Sequence, residues 1–128
     1  SFCVSADAGH AVHPNYADKH EPEHRPVVGG GPVIKVNANQ AYASDAETAA
    51  RFAALCADVG VRPQHFVTRS DLGCGSTIGP ISAARVGLRT VDVGSPMLSM
   101  HSCRELAGVA DVAPMIDVLA AFFREDAA

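Results

Sequence analysis

Two residues whose types suit metal chemistry stand just beyond predicted strands. Asp7 follows the apolar run at Phe2–Ala6, and His101 lies past the run at Arg89–Val93, after Gly94-Ser95-Pro96-Met97-Leu98-Ser99-Met100. In open α/β sheets, sites form outside the carboxyl ends of the strands. A carboxylate and a neutral imidazole are both ordinary zinc ligands. Spacing alone leaves each residue a plainer role: Asp7 as the cap of a turn or helix, His101 as a hydrogen-bonded surface histidine.

A second group of candidates lies between His10 and Gly31, a long irregular stretch with His10, His13, His20 and His24, three prolines, and Gly29-Gly30-Gly31 at its end. Connections this long inside a compact domain are functional or disordered. His20 and His24 are four apart, but Pro22 between them denies a shared helical face. No cysteine is close enough to complete a structural zinc site, so the stretch alone is expected to bind metal only adventitiously. Glu21 and Glu23 have the look of a general acid–base pair, yet they flank Pro22 in a polar run and read as a solvated loop. Asp71-Leu72-Gly73-Cys74-Gly75-Ser76-Thr77 is a Gly-rich turn entering a helix, a place where free N–H groups meet anions. It lacks the Lys and the spacing of a phosphate-binding loop. Ser76 has no triad partners near it and reads as a cap.

The elements that must hold these residues alternate, as in an α/β layer fold. Strands are expected near Phe2–Ala6, Val33–Asn37, His65–Thr68 and Arg89–Val93. Ser44 with Glu47 predicts a capping box for a helix carrying Phe52, Leu55, Cys56 and Val59, ended by Gly60. A second helix is expected from Ser76-Thr77 to Gly87, with Pro80 tolerated in its first turn. A third starts near Asp111, and its stripe of Val112, Met115, Ile116, Leu119, Phe122 and Phe123 reads as core.

Composition narrows the function classes. The 128 residues fit one domain or a piece of one, and 48% hydrophobic content supports a packed core rather than a disordered chain. With 5% aromatics and no Trp, that core must be aliphatic. A net charge of −4 argues against nucleic acid as a partner. No apolar run approaches the roughly 20 residues of a membrane span. Cys3, Cys56, Cys74 and Cys103 form no C-x-x-C pair, and three sit among apolar or small neighbours, as buried thiols do. That usage suits a reducing cytosol, so a cytoplasmic location is expected.

Longer motifs then carry a resemblance. Ser5-Ala6-Asp7-Ala8-Gly9-His10-Ala11-Val12-His13-Pro14-Asn15-Tyr16 resembles a motif of the aspartyl aminopeptidase family of dinuclear zinc peptidases. The similarity continues, in order, through Lys19-His20-Glu21, Gly31-Pro32-Val33-Ile34-Lys35-Val36-Asn37 and Arg69-Ser70-Asp71. It then takes in Cys74-Gly75-Ser76-Thr77-Ile78-Gly79-Pro80-Ile81, Thr90-Val91-Asp92-Val93-Gly94 and Met100-His101-Ser102-Cys103-Arg104-Glu105. Gly9 departs from the Ala expected there.

The resemblance implies a zinc-peptidase-like α/β fold, a mixed sheet flanked by helices. Residues 1–128 would be an incomplete C-terminal segment of the catalytic domain, without its N-terminal segment and inserted dimerisation domain. It implies that Asp7 binds one zinc and His101 the other, in a site with two zinc ions. It also implies a pocket for an acidic N-terminal residue, with Lys35 neutralising the substrate carboxylate, His10 against the substrate, and Tyr42 and the Asp71–Thr77 turn, Asp71 and Gly73 above all, lining the pocket. His13, His20 and His24 would serve packing or subunit contacts. The implied reaction is hydrolysis of peptides with an N-terminal Asp or Glu, through a metal-bridging water whose pKa falls towards about 7 and a glutamate that moves its proton. That glutamate, a bridging Asp and two further ligands have no counterpart in this chain, so no catalytic residue is expected here and the isolated chain is expected to be inactive. The expected partners are the remainder of the catalytic domain and, for the complete protein, further copies of itself. The competing expectation is a non-catalytic interaction or metal-binding remnant. A chain opening directly in an apolar strand is expected to be a fragment.

Overall fold

The computed structural model describes residues 1–125. Runs rich in β-branched residues become its main sheet: β1 (Phe2–Ala6), β3 (Val33–Val36), β4 (Gln64–Val67) and β5 (Arg89–Gly94), in the order β1-β5-β3-β4. β1 is parallel to β5 and β3 is parallel to β4, while β3 and β5 are antiparallel, with Val33 opposite Gly94. All four expected strands form. A second sheet that the sequence did not signal joins β2 (Gly9–His10), β6 (Pro96–Leu98) and β7 (Leu106–Ala107), with β6 in the middle. Its strands continue the first sheet: β1 leads into β2 and β5 into β6, side by side.

The helices form where expected, with two corrections. α1 (Ala46–Asp58) does begin with a capping box, but its cap is Asp45 and its partner Thr48, not Ser44 and Glu47. Ser44 is instead buried, its hydroxyl bonded to the backbone N–H and carbonyl of Asp92 on β5. Gly60 and Gly87, both left-handed, follow α1 and α2 (Ile78–Val86) as predicted. The third helix, α3 (Val112–Arg124), also starts at Asp111. Its apolar stripe is only half core, however. Phe122 packs on Phe2 at 6.0 Å, but Val112, Ile116 and Phe123 are 55%, 60% and 81% exposed, and the helix's fully buried residue, Val118, lies outside the stripe. Apolar residues spread over more than one face, and one sheet face covers only part of that arc.

The core lies between α1, α3 and one face of the main sheet, where Ile34, Phe52, Leu55, Cys56, Val91, Val93 and Val118 meet. This is the aliphatic core that the composition requires. The His10–Gly31 stretch is more ordered than its sequence suggests. It begins at the end of β2 and contains a 3-10 helix at Pro14–Lys19, and two side chains pin its end. The Asp111 carboxylate accepts the N–H groups of Gly29 (2.7 Å) and Gly31 (2.9 Å), both of positive φ. The Gln64 amide bonds both backbone groups of Val27.

Candidate active site

Asp7 stands where the strands pass from one sheet to the other. Its N–H donates to Val93 O, and two residues on Gly9 N–H donates to Ser95 O. The crossing is tight: a Cβ on Gly94 would lie 1.6 Å from the Asp7 carbonyl oxygen. The Asp7 backbone therefore rests directly on β5, at a position only glycine allows.

Lys35 reinforces this turn. It sits on β3, an interior strand, and is 3% exposed rather than solvated at an edge. Its ammonium donates to the carbonyls of Asp7 (3.1 Å) and Ala8 (3.4 Å) and lies 3.7 Å from the Asp7 carboxylate. Burial pushes the Lys35 pKa down, while the charges of Asp7 and Asp92 oppose that shift. Tyr42 closes the far side, with its ring centroid 5.4 Å from the ammonium. Burial pushes the Tyr42 hydroxyl pKa up, as do Cys74 and Asp92. Asp92 is itself buried, accepts Ala43 N–H at 2.7 Å and abuts Gly79 at the start of α2. A charged residue in the apolar run Thr90-Val91-Asp92-Val93-Gly94 was the sequence signal for it, and it went unread.

Beside this cluster opens a cavity of about 440 Å3. Among the expected site residues, His10, Tyr42 and Gly73 line it; Asp7, Lys35, Asp71 and His101 do not. Cys74 and Gly75 of the Asp71–Thr77 turn line it as well, and its remaining wall includes His20, Phe66, Arg69 and Met97–Met100, none of which was expected to line the substrate pocket. Burial lowers the His10 pKa first, and the nearby His101 and Lys35 lower it further. His20 is buried edge-on against Phe66 at 5.6 Å, a packing role; burial lowers its pKa too. His13 caps the 3-10 helix through Asn15 N–H, and His24 pairs with Glu21 and lies 6.5 Å, ring to ring, from His65.

Asp71 is committed elsewhere. Its carboxylate takes two hydrogen bonds from Arg69 (2.9 and 2.6 Å), whose third nitrogen donates to the Asp18 carbonyl. Arg69 thus ties the 3-10 helix to the Gly-rich turn on either side of the cavity. His101 lies on an exposed turn with φ +69°, next but one to Ser99 at φ +56°, and its N–H donates to Glu105 at 2.6 Å.

For zinc, the donor types fit but their number does not. Asp7 offers a half-exposed carboxylate and His101 an exposed imidazole, against the four ligands of a closed tetrahedral site. No cluster of three or more His, Cys, Asp or Glu suited to a metal occurs among the described residues. No helix of the described residues is long and apolar enough to cross a membrane.

Similarity to known proteins shows the family. Residues 1–123 match the model of the M18 family, aminopeptidase I zinc metalloproteases. A probable M18 family aminopeptidase 2 from Pseudomonas aeruginosa is 61% identical over 123 residues, covering 96% of this chain but 29% of the relative. Among solved structures, an Ape4–Nbr1 complex superposes with a TM-score of 0.92 at 47% identity, covering 95% of this chain and 23% of that one. The S. cerevisiae mApe1 dodecamer superposes with a TM-score of 0.83 at 32% identity, covering 95% and 26%. The chain spans about 29% of the length of the curated relatives it matches. It belongs to the M18 family of zinc metallopeptidases and carries part of that family's catalytic domain.

Proposed function

We propose that this chain is the C-terminal segment of the catalytic domain of an aminopeptidase that removes N-terminal Asp or Glu from peptides with the help of two zinc ions. The observation that carries the reading is the buried Lys35 ammonium, set on the Asp7 turn and separated from the cavity by Tyr42. Asp7 would hold one zinc and His101 the other. Bound zinc would supply Lewis-acid polarisation and a water of lowered pKa. Lys35 would draw the substrate's acidic side chain towards the Tyr42 wall, since a poorly hydrated cation binds a carboxylate more strongly than an exposed one. His10, neutral at pH 7, would accept or donate one hydrogen bond at the cavity mouth. Asp71 would act on the pocket through Arg69, and Gly73 would leave the wall open.

The remaining ligands and the proton-transferring glutamate would come from the rest of the domain. Two features of this chain support such a partner. β1 is an edge strand, and exposed apolar side chains stand on both flanking helices: Ile78, Ile81 and Val86 on α2, Val112, Ile116 and Phe123 on α3. A monomer rarely leaves that much apolar surface open. The dodecameric relative supports self-association of the complete protein. Four thiols without disulfides fit a cytosolic setting.

The test uses full-length enzyme with Asp- and Leu-terminated substrates that are otherwise identical. We expect activity lost to a chelator and restored by zinc, a preference for Asp, and a fall in that preference of about tenfold or more in Lys35→Met. An unchanged Asp-to-Leu ratio in a folded, zinc-loaded Lys35→Met would overturn the acidic-residue reading.

A further inference from the structure

The cavity has more room than the proposed reaction uses. Ligand sites of about 300–1,000 Å3 hold drug-sized molecules, and this one, at about 440 Å3, exceeds what a single Asp or Glu side chain fills. Its lining combines apolar side chains, Phe66, Leu72, Met97 and Leu98, with two cations, Lys19 and Arg69. The cations differ in how they are held. Arg69 is balanced by Asp71 in a two-point ion pair and is tied down again at Asp18. Lys19 ends the 3-10 helix, is exposed, and makes no ion pair among the described residues. Its charge adds to that of Arg69 in lowering the Asp71 pKa. Of the two cations on the cavity lining, Lys19 is therefore the one whose ammonium is not held by a carboxylate among the described residues.

We propose that Lys19 recognises a carboxylate that the peptide carries beyond its first residue, either an acidic side chain or a free C-terminus. This rests on the reading that peptides occupy the cavity, with their first residue at the Asp7–His10 end. The apolar side chains would take the intervening chain, and Lys19 would supply an attraction that neutral peptides do not have. Arg69 holds the wall in place and is not the recognition group, because Asp71 already fills its paired donors.

The experiment uses zinc-loaded full-length enzyme and three substrates with the same first residue: Asp-Ala-Ala amide, Asp-Ala-Ala acid and Asp-Asp-Ala amide. At low salt we expect kcat/KM for one or both of the acidic peptides to exceed that of the neutral amide by about fivefold, the scale of a solvent-exposed ion pair. In Lys19→Glu the ratio should invert, and in the wild type it should shrink as salt is raised. An advantage confined to the free acid identifies the C-terminus as the ligand, and one confined to the Asp-Asp peptide identifies the side chain. The same ratios in wild type and Lys19→Glu would overturn the proposal. Failure of the underlying acidic-residue reading looks different: Asp and Leu amides would be cleaved equally, and the Lys19 ratios would still be readable. Lys19 is exposed, so the variant is expected to fold.

Discussion

Two of the matched motifs are built in opposite ways. At the Asp7 turn the backbone is fixed by other parts of this chain. The carbonyls of Asp7 and Ala8 are held by Lys35, the N–H groups of Asp7 and Gly9 by the carbonyls of Val93 and Ser95, and the backbone lies against Gly94. The Gly-rich turn from Asp71 to Thr77 is exposed or half-exposed throughout, and added Cβ atoms on Gly73 and Gly75 would meet nothing within 4 Å. Glycine serves close approach in the first region and open space in the second. A motif can therefore mark a position fixed by packing or a surface left free for a ligand, and substitutions should separate the two.

The sharpest break of the comparison is Gly94→Ala. Its methyl would overlap the Asp7 carbonyl oxygen at 1.6 Å, a backbone atom that cannot yield without moving β1 off β5. Overpacking against a flexible side chain costs about 1–3 kcal/mol, so this contact should cost at least about 3 kcal/mol. The expected outcome is a large drop in the thermal midpoint of the full-length enzyme, or loss of soluble protein. A midpoint within a degree of wild type would mean that the Asp7 turn is not held as described. Gly79→Ala comes next. Alanine favours a helix by about 1 kcal/mol over glycine, but here the methyl would lie 2.1 Å from the buried Asp92 carboxylate. The steric term should win, leaving a net loss of about 1–2 kcal/mol, readable by denaturant unfolding. A gain in stability would show that Asp92 can turn away.

A smaller effect follows from His20, on the cavity wall, and His65, outside it. His20 and His65 both have pKa values lowered by burial. Below the ordinary histidine range of about 6.5 the unfolded chain then holds more protons than the folded one. Stability is thus fully present above that range and falls as pH drops through it towards the folded pKa values. We expect the midpoint to decrease between about pH 7.5 and pH 5.5, and the decrease to be smaller in His20→Gln. An equal slope in the variant would remove His20 as a cause.

How much of this was legible in the sequence depends on which forces set each part. The four main strands and the three helices follow from local patterns, which is why their positions were read correctly, and Gly60 and Gly87 marked their stops. Caps were harder: Ser44 and Asp45 are both good caps in isolation, and the choice fell to Asp45 because Ser44 is drawn onto Asp92, 48 residues away. The outer half of the α3 stripe was misread for a related reason, since periodicity reports an apolar face without reporting what covers it. Likewise Lys35 reads as a solvated strand lysine until the sheet order places β3 in the interior. The resemblance named His10, Lys35 and Tyr42, but not that Asp71 would be occupied by Arg69, because a contact between side chains two residues apart depends on the turn between them.

Gly73→Ala is the smallest expected effect on stability and the most direct probe of the open region. Gly73 lines the cavity, its φ lies outside the left-handed region, and a methyl there would touch nothing within 4 Å. Alanine should therefore be neutral or stabilise by about 0.4–1 kcal/mol, through the lower entropy of the unfolded chain. The same methyl would occupy space that the proposed substrate uses. KM for peptide substrates should then rise while the unfolding midpoint stays level or increases. Gly94→Ala should do the reverse, removing activity only along with the fold. If Gly73→Ala instead lowers stability, the Gly-rich turn is packed against something in the full-length enzyme. Its openness would then belong to this segment alone and not to a pocket.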